Sequence, residues 1–98
     1  MSPPRDSLDV LRDEVARIDD ALLHLLAQRL EVARRIGAVK RHAGRAVCDP
    51  AREARVVRRA AERACALGVP EDDVRALTWR VVALTRRVQG TSVPNAPA

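Results

Sequence analysis

Apolar residues recur every three or four positions through Leu22, Leu25, Val32, Ile36 and Val39, and the slot between Leu25 and Val32 holds Arg29. A permanent charge on a buried helical stripe is costly unless it is paired. The bland account of one seam arginine is an internal ion pair, or a stem that buries while the head reaches water. Arg29 is not alone, however. Lys40 lies eleven positions later, about three turns on and only about 20° round the helix. Two long cationic side chains therefore look along one face, about 16 Å apart on the axis, and their heads can close on one small anion. Arg52 and Glu53 follow just after the next turn, and Thr85 and Gln89 lie one turn apart on one face of a later helix. Arg12 precedes Arg29 by seventeen positions, about 25 Å, so it cannot share a small ligand with Arg29 of its own chain. In an antiparallel pair of such helices it reaches the partner's site.

This set is three or four cations, one carboxylate and two neutral polar groups. It suits a small dianion that carries a hydroxyl. The sequence has no Ser-His-Asp or Cys-His arrangement and no glycine-rich phosphate loop, so the chemistry expected is binding and electrostatics without covalent catalysis. His24 and His42 lack partners at metal spacing, and Cys48 and Cys65 form no CxxC pair. No metal site is expected, and the thiols read as reduced and cytosolic. Neither a signal peptide nor a transmembrane run is evident, so a cytoplasmic location is expected, without membrane contact.

The net charge of +5 raises nucleic-acid binding as a function. The arginines are spread along the chain and interleaved with acids, and Trp79 is the only aromatic residue available to stack on a base. No nucleic-acid partner is expected.

The positioning elements read as helices. The 98 residues suggest one domain, with a core of Leu, Val, Ile and Ala. Residues 1–7 form an expected disordered lead-in, in which Ser7 can cap the first helix. The apolar repeat runs from Leu8 through Leu11, Val15, Ile18, Leu22 and Leu25 to Val39, with Gly37 as its weak point and Gly44 as terminator. Helix one therefore spans about 8 to 42. At about 52 Å it exceeds the roughly 33 Å diameter expected of so small a domain. It must project, and the expected cover is a second copy related by a two-fold axis. Asp49 and Pro50 read as N-cap and first residue of helix two, about 50 to 67, with Val56, Val57, Ala60, Ala64 and Leu67 inward and Gly68 at its end. Pro70 and three acids open helix three, about 70 to 89, with Val74, Leu77, Val81, Leu84 and Val88 inward. The ordered domain is placed at 8–90, and residues 91–98 read as a disordered tail.

The stretches "LRDEVARID", "LLAQR", "IGAVK", "DPAREARV" and "TRRVQ", in that order and register, resemble the all-helical chorismate mutase family over about residues 8 to 89. The resemblance implies an all-α fold with three helices per chain, the first very long, in an intertwined homodimer with two active sites. It implies cofactor-free rearrangement of chorismate to prephenate, a Claisen [3,3] shift. By position, Arg29 is similar to the arginine that grips one substrate carboxylate, and Arg12 to the arginine lent by the other subunit. Lys40 corresponds to the lysine on a carboxylate and the ether oxygen, and Gln89 to the second donor at that oxygen. Arg52 corresponds to the support of the carboxylate network. Asp49, through its backbone, and Glu53 correspond to the positions that hold the ring hydroxyl. Thr85 stands where the family often has a serine on a carboxylate. Arg86 departs from the pattern, since the family usually has an apolar residue there. It reads either as a solvent-facing helix arginine or as an added cation that alters the substrate.

Other readings stay open on sequence. Glu53 suits the ammonium of 4-amino-4-deoxychorismate as well as a hydroxyl. Isochorismate pyruvate-lyase activity shares the same fold, although the intact "DPARE" argues mildly against it. A basic helical dimer on nucleic acid is the non-enzymatic alternative, with affinity that falls steeply in salt. A mutase of low intrinsic activity that needs a partner enzyme also fits a short chain.

Overall fold

The computed structural model describes residues 5–90, and among them every regular element is a helix. Helix α1 spans Leu8–His42, α2 spans Pro50–Leu67 and α3 spans Glu71–Gly90. The expected tail at 91–98, and residues 1–4 of the expected lead-in, lie outside the described residues.

Local chemistry explains the boundaries. The Ser7 hydroxyl accepts from the Val10 N–H at 3.3 Å, capping one of the N–H groups that a helix start leaves without an internal partner. Gly44 ends α1 with φ +69, the left-handed conformation that a Cβ disfavours. Its N–H donates to the Arg41 carbonyl at 3.1 Å and the Arg45 N–H donates to the Lys40 carbonyl at 2.8 Å, which closes the helix just beyond Lys40. The Asp49 carboxylate caps α2, accepting from the Arg52 N–H at 3.1 Å, and Pro50 supplies a first residue whose missing N–H would have had no partner. Gly68 ends α2 in the same way that Gly44 ends α1. Helix α3 begins at Glu71, one residue later than expected, and the Pro70 carbonyl accepts its first intrahelical bond from Val74 at 3.1 Å.

The chain divides between Val32 and Ala33 into two units. The first is the N-terminal part of α1. Its apolar stripe is open in the single chain: Leu11 is 39% exposed, Val15 55%, and Leu25 61%. Arg29 is exposed with them, so the single chain has no buried seam at this point.

The second unit holds the end of α1 with α2 and α3. Helices α2 and α3 pack on each other, and the buried residues of the unit are Ala33, Gly37, Val57, Ala61, Ala64 and Val82. Two inward assignments are corrected. Leu67 is 68% exposed and Leu77 64% exposed. The covered face of α3 centres on Val82, with the expected Val74, Val81, Leu84 and Val88 half-buried beside Thr78 and Thr85. Both threonines tolerate partial burial because each donates its hydroxyl proton to its own helix, Thr78 to the Val74 carbonyl at 2.7 Å and Thr85 to the Val81 carbonyl at 2.9 Å.

Candidate functional site

The second unit gathers polar groups where α1 ends and α2 begins. Lys40 is half-buried in the last turn of α1, and its ammonium donates to the Val47 carbonyl at 3.2 Å. The connection thus folds back over the lysine and fixes where its charge sits. Asp49 has two tasks at the start of α2. Its side chain caps Arg52, and its carbonyl accepts from the Glu53 N–H at 3.0 Å. Glu53, in the first turn, benefits from the positive end of the helix dipole.

Helix α3 supplies the partner of Glu53. Arg86 donates from Nε to Glu53 Oε2 at 2.7 Å and from Nη2 to Oε1, a two-pronged grip on one carboxylate. The Glu53 side chain is only 14% exposed, and that of Arg86 50%. The Arg86 hydrogen bonds are the main reason that the Glu53 carboxyl lies below its ordinary range. Partial burial opposes this, the charges of Arg86 and Lys40 assist it, and Asp49 works against it. Reciprocally, Glu53 holds the Arg86 guanidinium more firmly protonated. Arg86 is thus exposed, as a solvent-facing helix arginine would be, and is ion-paired with Glu53. Glu53 is the common member, since Arg86, Lys40 and Asp49 each act on its carboxylate.

Gln89 meets α1 through its backbone. A Cβ placed on Gly37 would lie 2.9 Å from the Gln89 carbonyl oxygen and 3.0 Å from its Cα, so the absent side chain is what lets α1 and α3 approach. Arg41 also donates to the Gln89 carbonyl. Gly37 and Arg41 flank Lys40 along α1, which sets Gln89 beside the turns that carry the lysine. Thr85 is half-buried one turn before Gln89, and its hydroxyl must turn away from Val81 before it can donate to a ligand.

Among the expected residues, Lys40, Asp49, Arg52, Glu53, Thr85 and Gln89 all belong to the second unit. Arg52 is exposed, with its backbone N–H held by Asp49. Arg12 and Arg29 belong to the first unit, and both are exposed. Sequence reasoning missed the contributions of Gly37 and Arg41. Gly37 stood out only as a gap in the apolar repeat, and an arginine after Lys40 is unremarkable on a helix surface. Among the described residues no group of three His, Cys, Asp or Glu is placed to hold a metal ion.

The arrangement can bind an anion through fixed cations and meet a hydroxyl or ammonium with an ionised carboxylate. The family described as chorismate mutase type II matches residues 11–90. The chain is 41% identical over 75 residues to the T-protein of Enterobacter agglomerans, covering 76% of this chain and 20% of that protein. It is 40% identical over 62 residues to a 3-dehydroquinate dehydratase of Pyrobaculum aerophilum, covering 63% of this chain and 21% of that protein. The chain thus spans about a fifth of the length of these curated relatives. No solved structure matches it at a significant level. With the matched segment running from Leu11 through Lys40, Asp49, Glu53 and Gln89 to the end of α3, the chain belongs to the chorismate mutase type II family.

Proposed function

We propose that this chain rearranges chorismate to prephenate without a cofactor. The observation that carries the reading is the junction of Lys40, Asp49 and Glu53, with Gln89 beside the lysine-bearing turns, inside the segment that matches the family. In the Claisen shift the C–O bond of the enolpyruvyl ether breaks as a C–C bond forms, and negative charge grows on the ether oxygen. Lys40 and Gln89 donate to that oxygen and so stabilise the transition state more than the ground state. Arg29, Arg52, Thr85 and the partner subunit's Arg12 hold the two carboxylates. This clamp fixes the flexible enolpyruvyl arm over the ring before reaction. Glu53 and the Asp49 backbone take the ring hydroxyl.

The reading includes an intertwined homodimer. Its support is the open apolar stripe of α1, where Leu11, Val15, Ile18, Leu22 and Leu25 lie exposed along one helix. So contiguous an apolar surface marks an association site, and a second copy offers the matching stripe. In that dimer the seam around Arg29 closes and opens onto the substrate. A cytoplasmic location accords with the free thiols of Cys48 and Cys65, and no described helix is long and apolar enough to cross a membrane.

The test is turnover of chorismate, 4-amino-4-deoxychorismate and isochorismate by purified protein. Prephenate formed from chorismate at an enzymatic rate supports the reading. Release of pyruvate from isochorismate, with no prephenate from chorismate, refutes it.

A further inference from the structure

Glu53 presents both carboxylate oxygens to one guanidinium. Arg86 Nε donates to Oε2 at 2.7 Å and Nη2 donates to Oε1. Each oxygen still has a second lone pair, so the carboxylate can accept one more hydrogen bond from a ligand. What Arg86 changes is charge. A lone carboxylate attracts a cation, whereas a carboxylate already paired with a guanidinium is close to neutral as a unit. An ammonium bonded to Glu53 would lie on the order of 5 Å from the guanidinium carbon, close enough for strong like-charge repulsion in a partly desolvated site. A hydroxyl bonded there carries no charge and meets no such repulsion.

We infer that Arg86 is a specificity-determining residue, whose grip on Glu53 makes the site select a ring hydroxyl over a ring ammonium. This rests on the mutase reading given above and names its substrate: chorismate is taken and 4-amino-4-deoxychorismate, whose amine is protonated near neutral pH, is rejected. Three further features favour the role. The Glu53 side chain is 14% exposed and that of Arg86 50%, so solvent screens the repulsion at the free lone pairs only in part. The pair joins α2 to α3 across 33 positions of sequence, so Arg86 approaches from the helix that also carries Thr85 and Gln89. Lys40 adds a second positive charge close enough to act on Glu53, which disfavours an incoming ammonium further.

The experiment compares kcat/KM for chorismate and for its 4-amino analogue in wild type, Arg86→Gln, Arg86→Val and Arg86→Lys. The two neutral variants remove the charge in different shapes, so one folded protein of the two suffices. Wild type is expected to prefer chorismate. Loss of the charge is expected to move the ratio toward the amine by about 10-fold or more. Arg86→Lys is expected to keep most of the wild-type preference, because it keeps the charge while losing the fork. A role confined to tying α2 to α3 would lower both rates together and leave the ratio alone. An unchanged ratio in the neutral variants, or a wild-type preference for the amine, overturns this inference and leaves the mutase reading standing. Failure of the wild type to turn over either substrate overturns both.

Discussion

Gly37 of α1 lies directly against the backbone of Gln89 of α3, so closely that a methyl group on Gly37 would stand 2.9 Å from the Gln89 carbonyl oxygen. The obstacle is backbone, which cannot rotate aside. In an open helix, Gly→Ala stabilises by up to about 1 kcal/mol. Here the forced separation costs about 1–3 kcal/mol, so the clash wins. Gly37→Ala is predicted to lower the melting temperature and, by pushing Gln89 away from α1, to lower turnover. Gly90, with nothing within 4 Å of its added Cβ, is the control site. Calorimetry on both variants checks this, and a Gly37→Ala protein as stable and active as wild type would contradict the close approach.

The Glu53–Arg86 pair predicts an acid dependence of stability. The folded-state pKa of Glu53 lies below its unfolded value near 4.5. Its ionised form is therefore favoured by folding. The contribution is fully present above about pH 4.5 and is lost as pH falls from there through the lower folded value. Solvent screens the half-exposed guanidinium, so this is one modest part of the acid transition. Urea midpoints measured from about pH 6 to pH 3 should converge for wild type and Arg86→Gln at the acid end. A constant gap across that range would count against the pairing.

Much of the fold could be read from local chemistry. Ser7, Gly44, Asp49 with Pro50, and Gly68 each satisfy or release backbone groups within a few residues, so the bounds of α1 and α2 follow from them. Facing is harder. An apolar 3-4 repeat does not say which of two adjacent stripes is covered. Leu67 and Leu77 are exposed, whereas Ala61 and Ala64 line the packed face of α2 and Val82 centres that of α3. The grip of Arg86 on Glu53 and the fit of Gly37 to Gln89 are tertiary facts. Arg86 and Gly37 show in the sequence only as departures from a pattern, with no sign of their partners.

Arg12 and Arg29 test the shared site. If each active site takes Arg12 from one chain and Arg29 from the other, then Arg12→Ala and Arg29→Ala homodimers both lose about 100-fold or more in turnover, roughly the loss of one or two charge-assisted hydrogen bonds. Refolding the two variants together restores one intact site per heterodimer. Since half of a random mixture is heterodimer, about a quarter of wild-type activity should return. No recovery in mixtures confirmed as heterodimeric would rule out donation of Arg12 across the interface.

The central claim is that Lys40, set against Val47 and on the stretch of α1 whose Gly37 meets the Gln89 backbone, stabilises charge on the ether oxygen of chorismate. Prephenate formation by wild type and by Lys40→Met, with thermal melts of both, tests it most directly. The account predicts that the wild type converts chorismate to prephenate. It also predicts that Lys40→Met loses on the order of 10²–10³-fold in kcat while melting close to the wild-type temperature. Absence of prephenate from the wild type, or a folded Lys40→Met protein with undiminished kcat, would contradict it.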